Sequence, residues 1–267
     1  MRAKEYLINV RGYAKEDVVL ALDRNGGGST GSNAEGTTRS GIIEGILRLA
    51  NASNRDRLEE VFIHYSGHGT QVRDTTYEQD EQREENGLDE ALVPSDFRRN
   101  GLIRDDKINT LFQEFHPDTK VLCVFDCCHS GTMADLPWKY RPTTDHRAYD
   151  TREERKEKET EKREIDALEV RSGCPTPCSV VCLSGCRDDQ VSMDAFNVAG
   201  RQRYSGAMTS NLMKILLWDE SQRKGENKSP TLHDLLLRLH ENLRRGNFRQ
   251  KPVLTSSARL DLNKERF

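Results

Sequence analysis

The chain has 267 residues, of which 32% are charged and 34% hydrophobic, and its net charge is −3. Acidic and basic residues are mixed along most of the sequence, so the concentrated basic face that nucleic-acid binding requires is missing. No apolar run approaches the roughly 18 residues of a membrane span, and residues 1–17 lack the apolar core of a signal peptide, so we expect a cytoplasmic protein that binds neither nucleic acid nor membrane.

Residues 26–41 (GGGSTGSNAEGTTRSG) are rich in glycine and small polar residues, a composition that predicts a flexible loop. A phosphate-binding loop is the alternative interpretation. It requires a preceding strand and a Gly-Lys-Ser or Gly-Lys-Thr ending, and the sequence has neither.

Three short apolar segments are predicted strands, because each is rich in β-branched or aromatic residues and ends at a polar turn. They are residues 58–65 (LEEVFIHY), 119–125 (TKVLCVF) and 179–183 (SVVCL). Helical patterns occur at residues 40–50, 105–115, 205–218 and 231–245. Strands that alternate with helices predict an α/β fold with a mostly parallel sheet between two layers of helices. Ligands bind at the carboxyl ends of the strands in such sheets, where the turns SGHG, DCCHSG and SGCRDDQ follow.

Residues 150–166 (DTREERKEKETEKREID) form a mixed-charge run without an apolar stripe. This pattern predicts an exposed connector, either a solvated helix or a disordered linker. We therefore divide the chain into residues 1–140, a charged linker at 141–172, and a smaller region at 173–267.

A cysteine nucleophile and a histidine base are the first candidate chemistry. The thiolate is the form that attacks, and an unperturbed thiol has a pKa of about 8.5, so a base must take the proton. Four histidines are candidate bases: His64, His68, His116 and His129. His68 is favoured because it follows a strand and lies between two glycines, which let a substrate chain approach. His64 lies within the strand, where we expect a packed or hydrogen-bonded histidine.

Cys127 and Cys128 follow the second predicted strand, and strand alternation lets only one of the two face a cleft. The same alternation groups Asp126 with Cys128. A carboxylate beside a nucleophilic thiol would raise the thiol's pKa, so we expect it to have another task. We predict that it lies at the floor of a pocket and pairs with a cationic substrate side chain.

Metal sites are the second candidate chemistry. The seven cysteines are an odd number, which fits a reducing compartment better than a disulfide framework, and their spacing argues against zinc. Aspartates from separate loops are the hard oxygen ligands that Ca²⁺ takes; the candidates are Asp89, Asp105, Asp106 and Asp135. No EF-hand spacing is present, so solvated carboxylates, or a helix N-cap at Asp105, stay open as alternatives.

Several motifs together resemble those of the metacaspases. They are HYSGHGTQ (64–71), DEALVPSDF (89–97), DCCHSG (126–131), DLPWKY (135–140), LSGCRDDQVSMD (183–194), GAMTS (206–210) and KPVLTSS (251–257). The resemblance implies a caspase-like α/β/α fold and a cysteine endopeptidase that cuts after Arg or Lys. It places the catalytic pair on His68 and Cys128, the acidic specificity pocket on Ser66 and Asp126, and an activating Ca²⁺ on the four aspartates. No organic cofactor is implied.

The resemblance also implies how the regions relate. Residues 1–140 correspond to the large-subunit-like region of the family, although its opening strand and one pocket aspartate are missing from this sequence. Residues 173–267 correspond to the small-subunit-like region, and the Lys and Arg residues of the linker are candidate sites of self-cleavage. Metacaspases usually act as monomers, and we expect the same here.

Two functions of different classes follow. In the first, the chain is a peptidase in which His68 takes the proton of Cys128 and the backbone N–H groups of Gly69 and Cys128 bind the oxyanion. In the alternative, it is a catalytically impaired caspase-fold binding or scaffold protein that kept the pair but lost turnover with its first strand.

Overall fold

The structure is a computed structural model that describes residues 2–23, 34–73, 88–127, 131, 133–143, 165–170, 174–185, 206–222, 229–248 and 250–267. Cys128 and His129 lie outside the described residues, as do residues 26–33 of the loop predicted at 26–41 and most of the charged linker. The turn after the third predicted strand is outside as well, from Cys186 onward.

The described residues form nine strands and six α-helices. The helices are α1 (Arg2–Asn9), α2 (Arg39–Asp56), α3 (Phe97–Asn100), α4 (Asp105–Phe112), α5 (Ala207–Gln222) and α6 (Leu232–Arg245). The strands are β1 (Glu60–Ser66), β2 (Gly69–Arg73), β3 (Leu88–Leu92), β4 (Ile103–Arg104), β5 (Lys120–Asp126), β6 (Trp138–Pro142), β7 (Ile165–Glu169), β8 (Ser179–Ser184) and β9 (Val253–Ser256). None of these helices combines the length and apolar character that a membrane crossing needs.

A six-stranded sheet in the order β1-β5-β8-β9-β6-β7 forms the centre of the fold. The three strands predicted from sequence, β1, β5 and β8, are neighbours and run parallel. The remaining three pairings are antiparallel and bring in the strands that the sequence reading did not predict. A smaller antiparallel sheet, β2-β3-β4, follows β1 in the chain. The predicted caspase-like α/β fold is confirmed.

Two apolar cores, one on each face of the sheet, hold the helices. Alternation along β5 supplies both of them: Leu122 and Val124 join the core with α1, α5 and α6, whereas Val121, Cys123 and Phe125 join the core with α2 and α4. A strand buried on both faces reads as a continuous apolar run, which is why β5 was predictable.

Helices α2, α4 and α5 differ in length from their sequence patterns, and α5 runs to Gln222, beyond the predicted end at residue 218. Helix α2 extends to Asp56, beyond the predicted end at residue 50. In this extension Ser53 is fully buried, and its hydroxyl donates to the Ala50 carbonyl oxygen at 2.7 Å. A polar residue on the core face escapes a search for apolar periodicity. Helix α4 ends at Phe112, before the predicted end at residue 115, although Phe115 still packs in the core from the following turn.

The stretch predicted as a linker includes part of the sheet. Strand β7 (Ile165–Glu169) lies within residues 141–172 and pairs with β6 at the edge of the sheet. Four of its five residues are exposed, so it carries no apolar signal. The sheet also joins the two predicted regions, because β5 from the first pairs with β8 from the second.

Candidate active site

The carboxyl ends of β1 and β5 lie side by side. The two strands pair in register with Ser66 opposite Asp126, and Gly67 N donates to the Asp126 carbonyl oxygen at 3.4 Å. The chain segments that follow therefore leave the sheet at the same edge. One of them carries His68, and the other leads through Cys127 to Cys128, whose own position lies outside the described residues.

The backbone around His68 is held by the side chain of Tyr65. The Tyr65 hydroxyl lies 2.9 Å from the His68 carbonyl oxygen and 3.1 Å from that of Val93. Burial raises the pKa of Tyr65, so the hydroxyl stays a donor. A Cβ atom on Gly67 would lie 2.8 Å from this hydroxyl, so the turn requires glycine there. The His68 residue itself is exposed, which leaves it accessible to a substrate.

Cys127 lies in the apolar core with α2 and α4, together with Cys123 and Phe125, and is 2% exposed. This is the placement that alternation predicted for one of the two adjacent cysteines. Cys127 is therefore a packed side chain on the face of the sheet opposite to Asp126.

Asp126 is fully buried and faces α5. Its Oδ2 accepts a hydrogen bond from Thr209 N, in the first turn of α5, at 2.7 Å, and its Oδ1 accepts from Gln250 Nε2 at 3.2 Å. A carboxylate has about four lone-pair sites, so each oxygen keeps capacity for a further donor. Asp126 thus anchors the N-terminus of α5, where a negative charge is favourable, besides its predicted place in a specificity pocket.

Ser66, the other predicted pocket residue, lies beside Asp126 and is exposed. Its Oγ is 4.0 Å from the position that a Cβ atom on Gly206 would occupy. Gly206 has a φ of 97°, a conformation that favours glycine, in the turn that leads into α5. The structure therefore brings Ser66, Asp126 and the start of α5 together.

Two other candidate bases, His64 and His116, are described, and each has a hydrogen-bond partner. His64 Nε2 is 2.9 Å from Thr209 Oγ1, so the prediction of a hydrogen-bonded histidine is confirmed. His116 precedes β5, at the opposite edge of the sheet, where its Nδ1 accepts from Asp118 N at 3.2 Å.

Three of the four predicted calcium ligands are clustered. Carboxylate oxygens of Asp89, Asp105 and Asp106 all lie within 4.8 Å of one another, and the first two residues are buried. Burial, followed by the nearby charge of Glu90, raises the pKa of Asp105 to about 9. Asp89 pairs with Arg104. An all-oxygen set of this kind fits Ca²⁺, which takes six to eight oxygens and accepts water among them.

Asp105 is the first residue of α4 and not its N-cap, a position that Arg104 occupies. Its carboxylate accepts from Glu90 N at 2.6 Å and from Asp106 N at 3.0 Å. The N-cap alternative for Asp105 is therefore wrong, and its side chain links the helix to β3 instead.

Asp135, the fourth predicted ligand, is not in this group of described residues. It lines an open pocket of about 380 Å³ together with Asp106, Asn109 and Cys174. Its backbone is in the left-handed region, with a φ of 45°, and its carbonyl oxygen accepts from Cys174 N at 2.7 Å. Asp106 therefore belongs to both the carboxylate cluster and the pocket.

Four residues that contact predicted site residues were not themselves predicted from the sequence: Tyr65, Arg104, Thr209 and Gln250. Thr209 lies in the GAMTS motif, which was a usable signal, and Gln250 directly precedes KPVLTSS. Thr209 and Gln250 both contact Asp126, which is at least 83 residues away from either of them in the chain. Spacing within the sequence cannot reveal such partners.

The chain is similar to proteins of one known family. The family model for the metacaspase, peptidase C14 domain, matches residues 1–137, which is half of the chain. The chain belongs to the metacaspase family. The match includes β1, β5 and the predicted catalytic and calcium-binding residues, although it does not by itself assign their roles.

Metacaspase relatives extend over most of this chain. Metacaspase-2 of Trypanosoma brucei brucei is 30% identical over 253 residues, which are 93% of this chain and 63% of the relative. Metacaspase-1 of Candida glabrata is 27% identical over 290 residues, covering 97% of this chain and 67% of the relative. Protein GSU0716 of Geobacter sulfurreducens, a solved structure, is 25% identical, with a TM-score of 0.49 over 86% of this chain and 78% of that one. The chain thus spans about two thirds of the length of these metacaspase relatives.

Proposed function

We propose that this metacaspase-family chain is a cysteine endopeptidase that cleaves after Arg or Lys, with His68 and Cys128 as its catalytic pair. The observation that carries the proposal is the in-register parallel pairing of β1 and β5. It brings the segments that carry the two residues to one edge of the sheet, beside a buried carboxylate.

In the proposed mechanism, His68 removes the proton from the Cys128 thiol, and the thiolate attacks the scissile carbonyl carbon. His68 then protonates the amine that leaves as the tetrahedral intermediate collapses. Water hydrolyses the thioester and releases the acid product. Asp126 binds the basic side chain before the cut, because opposite charges attract strongly where water is excluded.

The backbone N–H of Gly69 is the proposed oxyanion donor, together with that of Cys128. Val93 N donates to the His68 carbonyl oxygen at 3.1 Å, so His68 and Val93 form a hydrogen-bonded pair of the β2–β3 ladder. In an antiparallel ladder such pairs alternate with pairs whose N–H groups point outward. Gly69, opposite Leu92, is in the second class. This alternation supports an N–H that is directed away from β3.

The experiment is substitution of the nucleophile. We expect Cys128→Ala to lower kcat/KM for a fluorogenic peptide with Arg before the cut by at least about 1,000-fold, since the covalent step is lost. Cys127→Ala is the matched control, because Cys127 is packed in the core and should affect stability rather than chemistry. Retention of most activity in Cys128→Ala would refute the assignment.

Calcium activation is a second part of the proposal. Asp89, Asp105 and Asp106 would hold the ion, with Asp135 as a further ligand from the adjoining pocket. What supports this is a cluster of desolvated carboxylates, since a divalent cation offsets their mutual repulsion.

A thermal titration tests the calcium site independently of activity. In the Cys128→Ala background we expect Ca²⁺ at about 100 times its Kd to raise Tm by about 5–10 °C. Asp106→Asn should remove most of this shift. Asp118→Asn, whose side chain is 93% exposed and lies before β5, is the matched control and should keep it. Equal shifts in both variants would place the ion elsewhere.

We further propose that the protein acts as a monomer in the reducing cytoplasm and processes itself within the charged linker. The odd number of cysteines, seven, supports that compartment, because it fits a reducing environment better than a disulfide framework. Incubation with millimolar Ca²⁺ should give fragments that end at Lys or Arg, and the Cys128→Ala protein should stay intact. No cleavage of itself or of peptides, with an unreactive Cys128, would favour the binding or scaffold function instead.

A further inference from the structure

Gln250 is a buried polar residue beside the proposed specificity pocket, in the segment before β9. It is 7% exposed, and its Nε2 donates to Asp126 Oδ1 at 3.2 Å. A carboxylate can only accept, so this bond fixes which end of the amide faces Asp126. The oxygen Oε1 must therefore point away from the carboxylate.

Gln250 Oε1 is the one buried side-chain oxygen without a hydrogen-bond partner among the residues that the structure describes. Buried acceptors are nearly always satisfied in native proteins, because an unpaired one has lost its water without a replacement. An orphan acceptor next to a carboxylate with spare lone pairs therefore indicates a ligand that brings several donors.

The packing around Asp126 and Gln250 differs between the side of Gly185 and the side of Ser66. A Cβ atom on Gly185 would lie 3.2 Å from Gln250 Nε2 and 3.4 Å from Asp126 Oδ1, so the backbone after β8 packs against both groups. On the side of Ser66, these two groups are less enclosed. Ser66 is exposed, and Gly206 opposite it presents no side chain.

The two basic side chains differ in how well they match these acceptors. A guanidinium presents five N–H donors in a planar fork, and it can reach a carboxylate and a second oxygen at once. An ammonium concentrates three donors on one nitrogen. Asp126 alone attracts an ammonium or a guanidinium, whereas an additional fixed acceptor favours the guanidinium, because its planar donors can bond both groups at once.

We propose that Gln250 is a specificity-determining residue whose Oε1 accepts a hydrogen bond from the substrate guanidinium, so that this enzyme cleaves after Arg in preference to Lys. The inference rests on the proposed function, because it requires that the pocket at Asp126 takes a basic side chain.

The test compares two peptides that differ only in Arg or Lys before the cut. We expect wild-type kcat/KM to be at least tenfold higher for Arg. Gln250→Met keeps the volume but removes the amide, and we expect it to lower the Arg-to-Lys ratio about tenfold, which equals about 1.4 kcal/mol in transition-state binding. Thr209→Ala is the matched control. It removes the hydroxyl that contacts His64 but leaves the backbone N–H on Asp126, and it should change both substrates by one factor.

The outcomes separate this inference from the function beneath it. Cleavage after neither Arg nor Lys would refute the proposed function. Cleavage after both at equal kcat/KM in the wild type would overturn the inference alone, even where Gln250→Met fails to fold. An unchanged ratio in a folded Gln250→Met protein, checked by its Tm, would overturn it as well.

Discussion

The thiols of this chain lie in very different surroundings, and their reactivity should differ accordingly. Cys123 and Cys182 are register partners on β5 and β8 and are almost completely buried. Burial, followed by the neighbouring Cys182, raises the pKa of Cys123 well above its ordinary value, and burial also raises that of Cys178. Because only the thiolate is reactive, we expect Cys123 and Cys178 to be unreactive in the folded protein, and burial alone shields Cys182 from reagents.

This difference predicts the pattern of alkylation. With iodoacetamide at pH 7.5, we expect Cys128 to be modified first and peptidase activity to fall in step. Cys123, Cys178 and Cys182 should be modified only after unfolding in urea. Peptide mass spectrometry measures each site, and modification of Cys123 in the folded protein at the rate of Cys128 would contradict the assignment.

The hydroxyl of Tyr65 is the second residue-scale feature, because it fixes the turn that carries His68. We expect Tyr65→Phe to lower kcat/KM about tenfold, since a looser turn places the base less accurately. The loss of the bond should lower the free energy of unfolding by ~1 kcal/mol.

Tyr140→Phe is the matched control for Tyr65→Phe. The Tyr140 hydroxyl accepts a hydrogen bond from Leu260 N at 2.6 Å, on the far side of the sheet. The two variants should lose similar stability in urea, and only Tyr65→Phe should lose activity. A parallel loss of activity in both would mean that global destabilisation, and not the His68 turn, is responsible.

At the scale of elements, three of the five exposed large apolar side chains among the described residues lie in the N-terminal segment. Residues 18–23 belong to no helix or strand, and Val19 and Leu22 are 85% and 61% exposed. Strand β1 is an edge of the sheet and, within the described residues, pairs only with β5. Short β-prone segments and open strand edges are typical starting points of aggregation.

We therefore expect the double variant Val19→Lys, Leu22→Lys to resist aggregation. The change places charge on exposed positions, so Tm should shift little, while the protein concentration at which light scattering rises should increase severalfold. Phe97→Lys is the control, since Phe97 is 41% exposed but lies on α3. An equal gain from that control would show that added charge alone is sufficient.

Some elements of this fold are predictable from the sequence and others are not. Strands β5 and β8 were recognisable because apolar residues fill both faces near the middle of the sheet. Strand β1 is an edge strand in which only Val61 is buried, and it was recognisable from its run of β-branched and aromatic residues. Strand β7 was missed because an exposed edge strand needs no apolar residues, and its pairing is a backbone property. His68 follows the end of β1, and Asp126 is the last residue of β5, so both were recognisable from the predicted strands. The contact of Gln250 with Asp126 joins positions 124 apart and leaves no local pattern.

On the scale of the whole molecule, the predicted linker joins two regions that share one sheet. Strand β5 pairs with β8 along six residues, in parallel, and β9 continues the sheet from β8 to β6. Helices α5 and α6, from the second region, bury Leu122 and Val124 of the first. The two regions are therefore held together by backbone hydrogen bonds and by an apolar core, in addition to the covalent connection.

We accordingly expect cleavage within residues 144–164 to leave a single folded particle. After processing with Ca²⁺ or mild trypsin treatment, the nicked protein should elute from a size-exclusion column at the position of the uncut Cys128→Ala protein. It should separate into two fragments only in denaturant. Its Tm should fall, because the two fragments regain independent motion when the sheet comes apart, and the fall should shrink as protein concentration rises. Two separate peaks under native conditions would show that the β5–β8 pairing is too weak to replace the connection.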